Sequence, residues 1–187
     1  TYLVLGIEHI LLGIDHLLFV FALLLIVQGW KRLDGTITAF TLAHSITLAA
    51  ATLGYFSVPQ APVEAIIALS LLFLATEIMH GQQGRPGMAQ RYPWLIALVF
   101  GLLHGFGFAG ALSEVGLPQS DIPLALLFFN VGVEVGQLIF VAAVLLASVA
   151  IRQINFTVLR RGEIVLTYAI GGLAAFWTIE RVAGFWS

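Results

Sequence analysis

Cysteine is missing altogether from this chain of 187 residues, and charge is scarce: Asp, Glu, Lys and Arg together make up 10% of it. Without cysteine there is no disulfide and no thiolate metal ligand, so any metal chemistry must run on imidazole, carboxylate and amide groups. A soluble domain carries about 25% charged residues, so water is not the main environment of this surface. Net charge is −2, from 8 Lys and Arg against 10 Asp and Glu, which leaves no basic footprint for a nucleic-acid partner. The short alternating segments of a transmembrane β-barrel are not found. Nor is a basic stretch followed by a small-residue cleavage site. The residues from Thr1 onward open straight into an apolar segment, which reads as a span and not as a secretory leader.

What is there is apolar: 60% of the chain is hydrophobic. A membrane-crossing helix needs about 20 such residues. Six segments qualify, over residues 3–28, 36–56, 63–80, 94–115, 124–151 and 163–182, separated by Gly- and Pro-rich breaks such as "GQQGRPGMAQRYP" and "GLPQSDIP". The expectation is an all-α, polytopic transmembrane helical bundle, one domain over residues 1–187. Lys31, Arg32, Arg85, Arg91, Arg152, Arg160 and Arg161 all fall in the first, third and fifth connections. Positive charge marks the cytoplasmic side, so both termini are expected outside, in what would be a bacterial inner membrane. Arg181 is the one dissenter and is read as snorkelling or pairing locally. "GLLHG" and "GVEVG" are G-x-x-x-G patterns, read as close helix packing.

The polar residues inside the spans carry the functional signal, because ionisable groups at membrane depth are costly and face the bundle interior. All five histidines lie within spans. In the first, His9 and His16 are seven residues apart and share a face, with Glu8 and Asp15 on the adjacent stripe. His44 lies in the second span, with Thr41 and Ser45 on neighbouring turns. Glu77 and His80 are three apart on one face of the third. His104 sits between two glycines of the fourth, with Glu114 near its outer end. Asn130, Glu134 and Gln137 form one stripe in the fifth. Asp15, His16, His44, His104, Asn130 and Glu134 are expected at similar depth, His9 towards the outside, Glu77 and His80 towards the cytoplasm. Glu64, in the first turn of the third span, is read as a structural carboxylate favouring a helix N-terminus. Imidazole and carboxylate without thiolate suit a divalent transition metal such as Ni²⁺, Zn²⁺, Fe²⁺ or Co²⁺. A metal also compensates carboxylates that would otherwise be expelled or protonated.

His9-x5-Asp15-His16 resembles the H-x5-D-H signature of the first span in the HupE/UreJ proteins, hydrogenase and urease accessory membrane proteins. It is also similar to the His/Asp motif of nickel–cobalt permeases. "LLHGFGFAGAL" and "FNVGVEVGQL" resemble the second HupE/UreJ branch in particular. The resemblance covers the first through the fifth span. It implies a membrane protein of six or seven spans that imports Ni²⁺ for metalloenzyme maturation. Where the nickel-permease branch carries a second His and then a Glu in the fourth span, this chain has Phe108 and Ala111. Only His104 carries over there, and His44, Glu77 and His80 stand as replacement ligands. The candidate ligand set is therefore His9, Asp15, His16, His44, Glu77, His80, His104, Asn130 and Glu134.

Two functions fit that set. A permease needs several cation sites of moderate affinity, and the ionisable groups form a ladder from Glu8, His9 and Glu114 outside to Glu77 and His80 inside. The alternative is an intramembrane metalloenzyme holding one or two metals and activating water or oxygen. No H-E-x-x-H motif and no nucleophile motif is present, so whether the chain is an enzyme stays open. A bis-His haem on two of His16, His44 and His104 is a third reading, disfavoured by the buried acids. The partners expected are the lipid bilayer and a metal ion. A homo-oligomer is allowed, and nucleic acid is not expected.

Overall fold

The computed structural model describes residues 1–56, 58–114, 122–154 and 156–186, with the side chains of 108–114, 152–154 and 156–161 left aside. Glu114, Phe108, Ala111, Arg152, Arg160 and Arg161 and the connection 115–121 thus lie outside what can be said of side chains here. Among the described residues the chain is all helix: α1 (Tyr2–Leu12), α2 (Ile14–Ile26), α3 (Trp30–Thr52), α4 (Gln60–Gln82), the short α5 (Met88–Arg91), α6 (Pro93–Glu114), α7 (Ile122–Ile154) and α8 (Phe156–Ala183).

These helices cover the six expected segments, but not as six equivalent spans. α4, α7 and α8 are long and apolar enough to cross a membrane, and a fourth span results if α1 and α2 count as one. Only 17% of the apolar stretch of α7, and likewise of α8, is buried. Their remaining Leu, Ile and Val side chains form an outward apolar surface suited to lipid. α3 is long but not apolar enough to qualify by composition, since Thr, Ser and His recur along it even beyond the charged start. Thr36, Thr41, His44 and Thr47 are buried along its inner face. Its polar groups are spent inward: Thr36 and Thr47 donate to carbonyls of α3 itself, and Thr41 reaches Gln137 of α7.

The first expected span is corrected outright. It is not one continuous helix: α1 and α2 meet at a 73° bend. Gly13 sits at the corner, its N–H bonded to His9 O at 3.0 Å and its carbonyl accepting from Leu17 N at 2.9 Å. A Cβ at Gly13 would meet His9 O at 2.8 Å and His16 Nδ1 at 3.0 Å. Space for the corner, and not a special dihedral angle, explains the glycine, because its φ of −78° is open to any residue.

Three helix pairs build the bundle. α1 runs parallel to α7: a Cβ at Gly6 would strike Phe129 O, one at Gly132 would strike Leu3 O, and one at Gly136 would touch Ile7. α3 runs parallel to α6, with Gly101 on Phe40 O and Gly105 on Thr47 Oγ1 and His44 O. Both G-x-x-x-G patterns thus bring backbones together. α4 runs antiparallel to α8, with Ala75 against Gly171 and Glu64 against Arg181. Phe19, Leu23, Phe40, Leu71 and Leu74 fill the main core, while Ile10, Leu48, Leu126, Phe129 and Val133 fill a second one beside it. His9 packs on Phe129 of the second core, and His16, His44 and His104 on Phe40 of the first.

A candidate metal centre

On an unbroken helix His9 and His16 would be separated by about 10.5 Å along the axis, at roughly 1.5 Å per residue. The bend at Gly13 closes that gap, and the two rings meet edge-on with centroids 4.7 Å apart. α3 adds His44, whose centroid is 6.1 Å from that of His9 and 6.0 Å from that of His16. α6 adds His104, 5.1 Å from His16. Four imidazoles from four helices therefore converge. Rings bound to one ion at a metal–nitrogen distance of about 2.0–2.1 Å have centroids about 5 Å apart; the His9–His16 and His16–His104 pairs have that spacing, and His44 stands further off. As the side chains stand, no group of three His, Asp or Glu among the described residues forms a ready coordination shell.

The hydrogen bonds fix which nitrogens are available. His104 Nδ1 lies 2.8 Å from Phe100 O. A carbonyl only accepts, so Nδ1 carries the proton, and in the neutral ring Nε2 keeps its lone pair. His16 Nδ1 lies 3.1 Å from Asp15 Oδ1, which also accepts from His16 N at 2.9 Å. His16 Nε2 and His104 Nε2 are buried with no hydrogen-bond partner, and so are both ring nitrogens of His44. An imidazole tied through one nitrogen to a carboxylate or carbonyl and open at the other is the arrangement that orients a metal ligand. Asp15 sits in the first turn of α2, where a carboxylate also complements the helix N-terminus.

Aromatic rings wall the cluster. Phe19 lies 5.1 Å and Phe40 5.2 Å from His104, and Phe129 lies 5.4 Å from His9. His9, Asp15, His16 and His104 line a cavity of about 230 Å³, together with Glu64 of α4 and Arg181 of α8. At about 30 Å³ per water molecule, that is room for about seven waters or a hydrated cation.

The other sequence candidates are engaged elsewhere. Glu77 accepts a hydrogen bond from Ala89 N at 2.7 Å and so pins the α4–α5 connection. His80 is exposed near the end of α4. Glu134 accepts from Thr38 Oγ1 at 2.8 Å, and Gln137 accepts from Thr41 Oγ1 at 2.9 Å, so this stripe joins α7 to α3. Asn130 donates to Leu126 O at 2.8 Å on its own helix and keeps a buried, unpartnered Oδ1. Asn130 and Glu134 line a second cavity, of about 440 Å³, with Thr41 and Ser45. Sequence reasoning missed Gly13 as the corner, the aromatic wall, and Glu64 with Arg181 on the cavity. The one signal for that pair was Arg181, the basic residue at odds with the charge bias.

Comparison with known families matches residues 1–181 to a model described as HupE / UreJ protein. The chain belongs to the HupE/UreJ family. No curated protein and no solved structure matches it. Family and apolar helices together make this HupE/UreJ protein an integral membrane protein, and the matched range includes His9, Asp15, His16 and His104, which line the cavity.

Proposed function

We propose that this HupE/UreJ protein is a permease for a divalent transition-metal ion, Ni²⁺ or one like it, and that His9, His16, His44 and His104 hold the cargo in mid-bundle. The observation that carries the reading is the pair of imidazoles, His16 and His104, each with Nδ1 held by an oxygen and Nε2 left open among converging rings. Asp15 acts as the orienting group for His16. Neutral imidazoles are good ligands for Ni²⁺, Co²⁺ and Zn²⁺. Discontinuous helices are a recurring feature of transporter ion sites, and α1 and α2 are broken beside these histidines. Asn130 and Glu134 are proposed to serve the second polar cavity and not the ion directly, while Glu77 and His80 serve the far end of the bundle.

The proposed orientation has both termini outside, in a bacterial inner membrane. Arg32 Nη2 donates to Gln90 O at 3.0 Å and Arg91 O at 2.7 Å. The first and third connections, both basic, therefore share one end of the bundle, which supports a common cytoplasmic face. The directions of the α1/α7, α3/α6 and α4/α8 pairs are those of an alternating six-pass path.

The test is metal content and transport with the purified protein. Reconstituted vesicles are expected to accumulate Ni²⁺, and the protein is expected to give up its metal to a chelator. Metal retained through chelator dialysis at one or two ions per chain, with no uptake, overturns the permease in favour of a resident catalytic centre. The cavity reaching Glu64 and Arg181 favours exchange over permanent retention.

A further inference from the structure

The cavity that holds the histidines runs outward to an ion pair. His16 and Asp15 expose 7% and 28% of their side chains, Arg181 and Glu64 25% and 49%. Glu64 is the most exposed of the four, so its carboxylate stands at the mouth with Arg181 beside it. A permanently charged guanidinium is a poor neighbour for a dication, unless it occupies the position that the dication takes on its way in. We propose that Glu64 is an outer exchange site for a divalent cation, held by Arg181 as a resident surrogate cation when the site is free. This rests on the permease reading above.

Three features support the exchange. The Glu64–Arg181 contact is loose, Nε to Oε2 at 3.4 Å, and leaves the carboxylate half exposed. The guanidinium lies over the Trp177 ring at 5.5 Å from its centroid while it is paired with Glu64, and a cation is attracted by the aromatic face. Release from Glu64 therefore does not strand Arg181. Its Nη1 is buried with no hydrogen-bond partner, so the carboxylate and the ring are what hold it. α4 and α8, which carry the pair, are packed antiparallel along their length. The exchange thus needs side-chain movement only. An arriving cation takes the Glu64 carboxylate, Arg181 is kept by Trp177 alone, and the ion passes inward to His9 and His16. The same arrangement discourages monovalent cations, whose weaker attraction competes poorly with a guanidinium.

The experiment is stopped-flow binding of Ni²⁺ to the full chain in lipid nanodiscs, followed with a metal-indicator dye, with the amount bound at equilibrium measured in parallel. Arg181→Gln is expected to raise the association rate and Glu64→Gln to lower it, each by about tenfold, the scale of local electrostatic steering at a cleft. Arg181→Lys, which keeps the charge, is expected to stay within about twofold of the parent, inside the effect expected for losing the charge. The double variant is expected to depart from the product of the singles. Association rates for both glutamine variants equal to the parent's, with equal metal bound, would overturn the exchange site and leave the histidine site standing. No Ni²⁺ bound by the parent chain overturns the permease reading and the exchange site with it. Should Glu64→Gln fail to fold, the rate for Arg181→Gln decides alone.

Discussion

Asp15 tests the chemistry of the cluster most finely, because it touches His16 twice: Oδ1 takes the backbone N–H at 2.9 Å and Nδ1 at 3.1 Å. Its role as an orienting group makes a graded prediction. Asp15→Ala removes both the acceptor and the negative charge behind His16. Loss of such a supporting group costs about 10–100-fold in metal affinity, or about 1.4–2.7 kcal/mol. The upper end applies here, since the Nδ1 bond is the one that sets the His16 ring. Asp15→Asn keeps an oxygen that can accept from Nδ1 but loses the charge, so the loss falls near the lower end, about tenfold. Isothermal titration with Ni²⁺ in detergent measures both, and thermal unfolding measured separately accounts for the α2 N-terminus, where losing the carboxylate costs about 0.3–1 kcal/mol. An affinity for Asp15→Ala within about twofold of the parent, well short of the loss expected for an orienting carboxylate, would refute the reasoning. Equal losses in both variants, far beyond about 100-fold, would make Asp15 a ligand itself.

Other outcomes follow from the packing. Gly105→Ala drives a methyl group into Thr47 Oγ1 and His44 O. It should lower the unfolding free energy by about 1–3 kcal/mol and weaken Ni²⁺ binding, because His44 and His104 lie on the two helices it separates. Glu77→Ala strands the buried Ala89 N–H and should destabilise by about 1–3 kcal/mol with Ni²⁺ affinity unchanged in the same titration. His80→Ala should leave both stability and affinity at the parent's values, given its exposed position. Acidification should release bound metal, since imidazole ligates only when neutral; dialysis across a pH series reads this directly.

Helix positions were legible in the sequence because apolar length and Gly/Pro breaks are local signals. The α4 and α7 boundaries fall within a few residues of the apolar runs. The bend at Gly13 was not legible: a lone glycine inside an apolar run looks the same in a straight helix. Its corner is set by His9 O and His16 Nδ1 filling the space where a Cβ would stand. Seven-residue spacing predicted a shared face on one helix; the rings meet instead because the chain bends between them. The Asn130, Glu134 and Gln137 stripe was equally visible, yet its use depends on which helix faces it, and Thr38 and Thr41 of α3 take two of the three. Glu77-x-x-His80 shows the limit of short motifs, since the carboxylate holds the start of α5, 12 residues on. Arg181 was flagged by the charge bias alone, and its partner, Glu64, is more than a hundred residues away in sequence.

The central claim is that imidazoles from several helices share one divalent ion. X-ray absorption at the nickel edge of the Ni²⁺-loaded protein, compared with His104→Ala, tests it most directly. The account predicts imidazole nitrogen scatterers near 2.0–2.1 Å, at least two per nickel, with the imidazole signal diminished in the variant. A spectrum of oxygen ligands alone, or one identical in parent and variant, would contradict it.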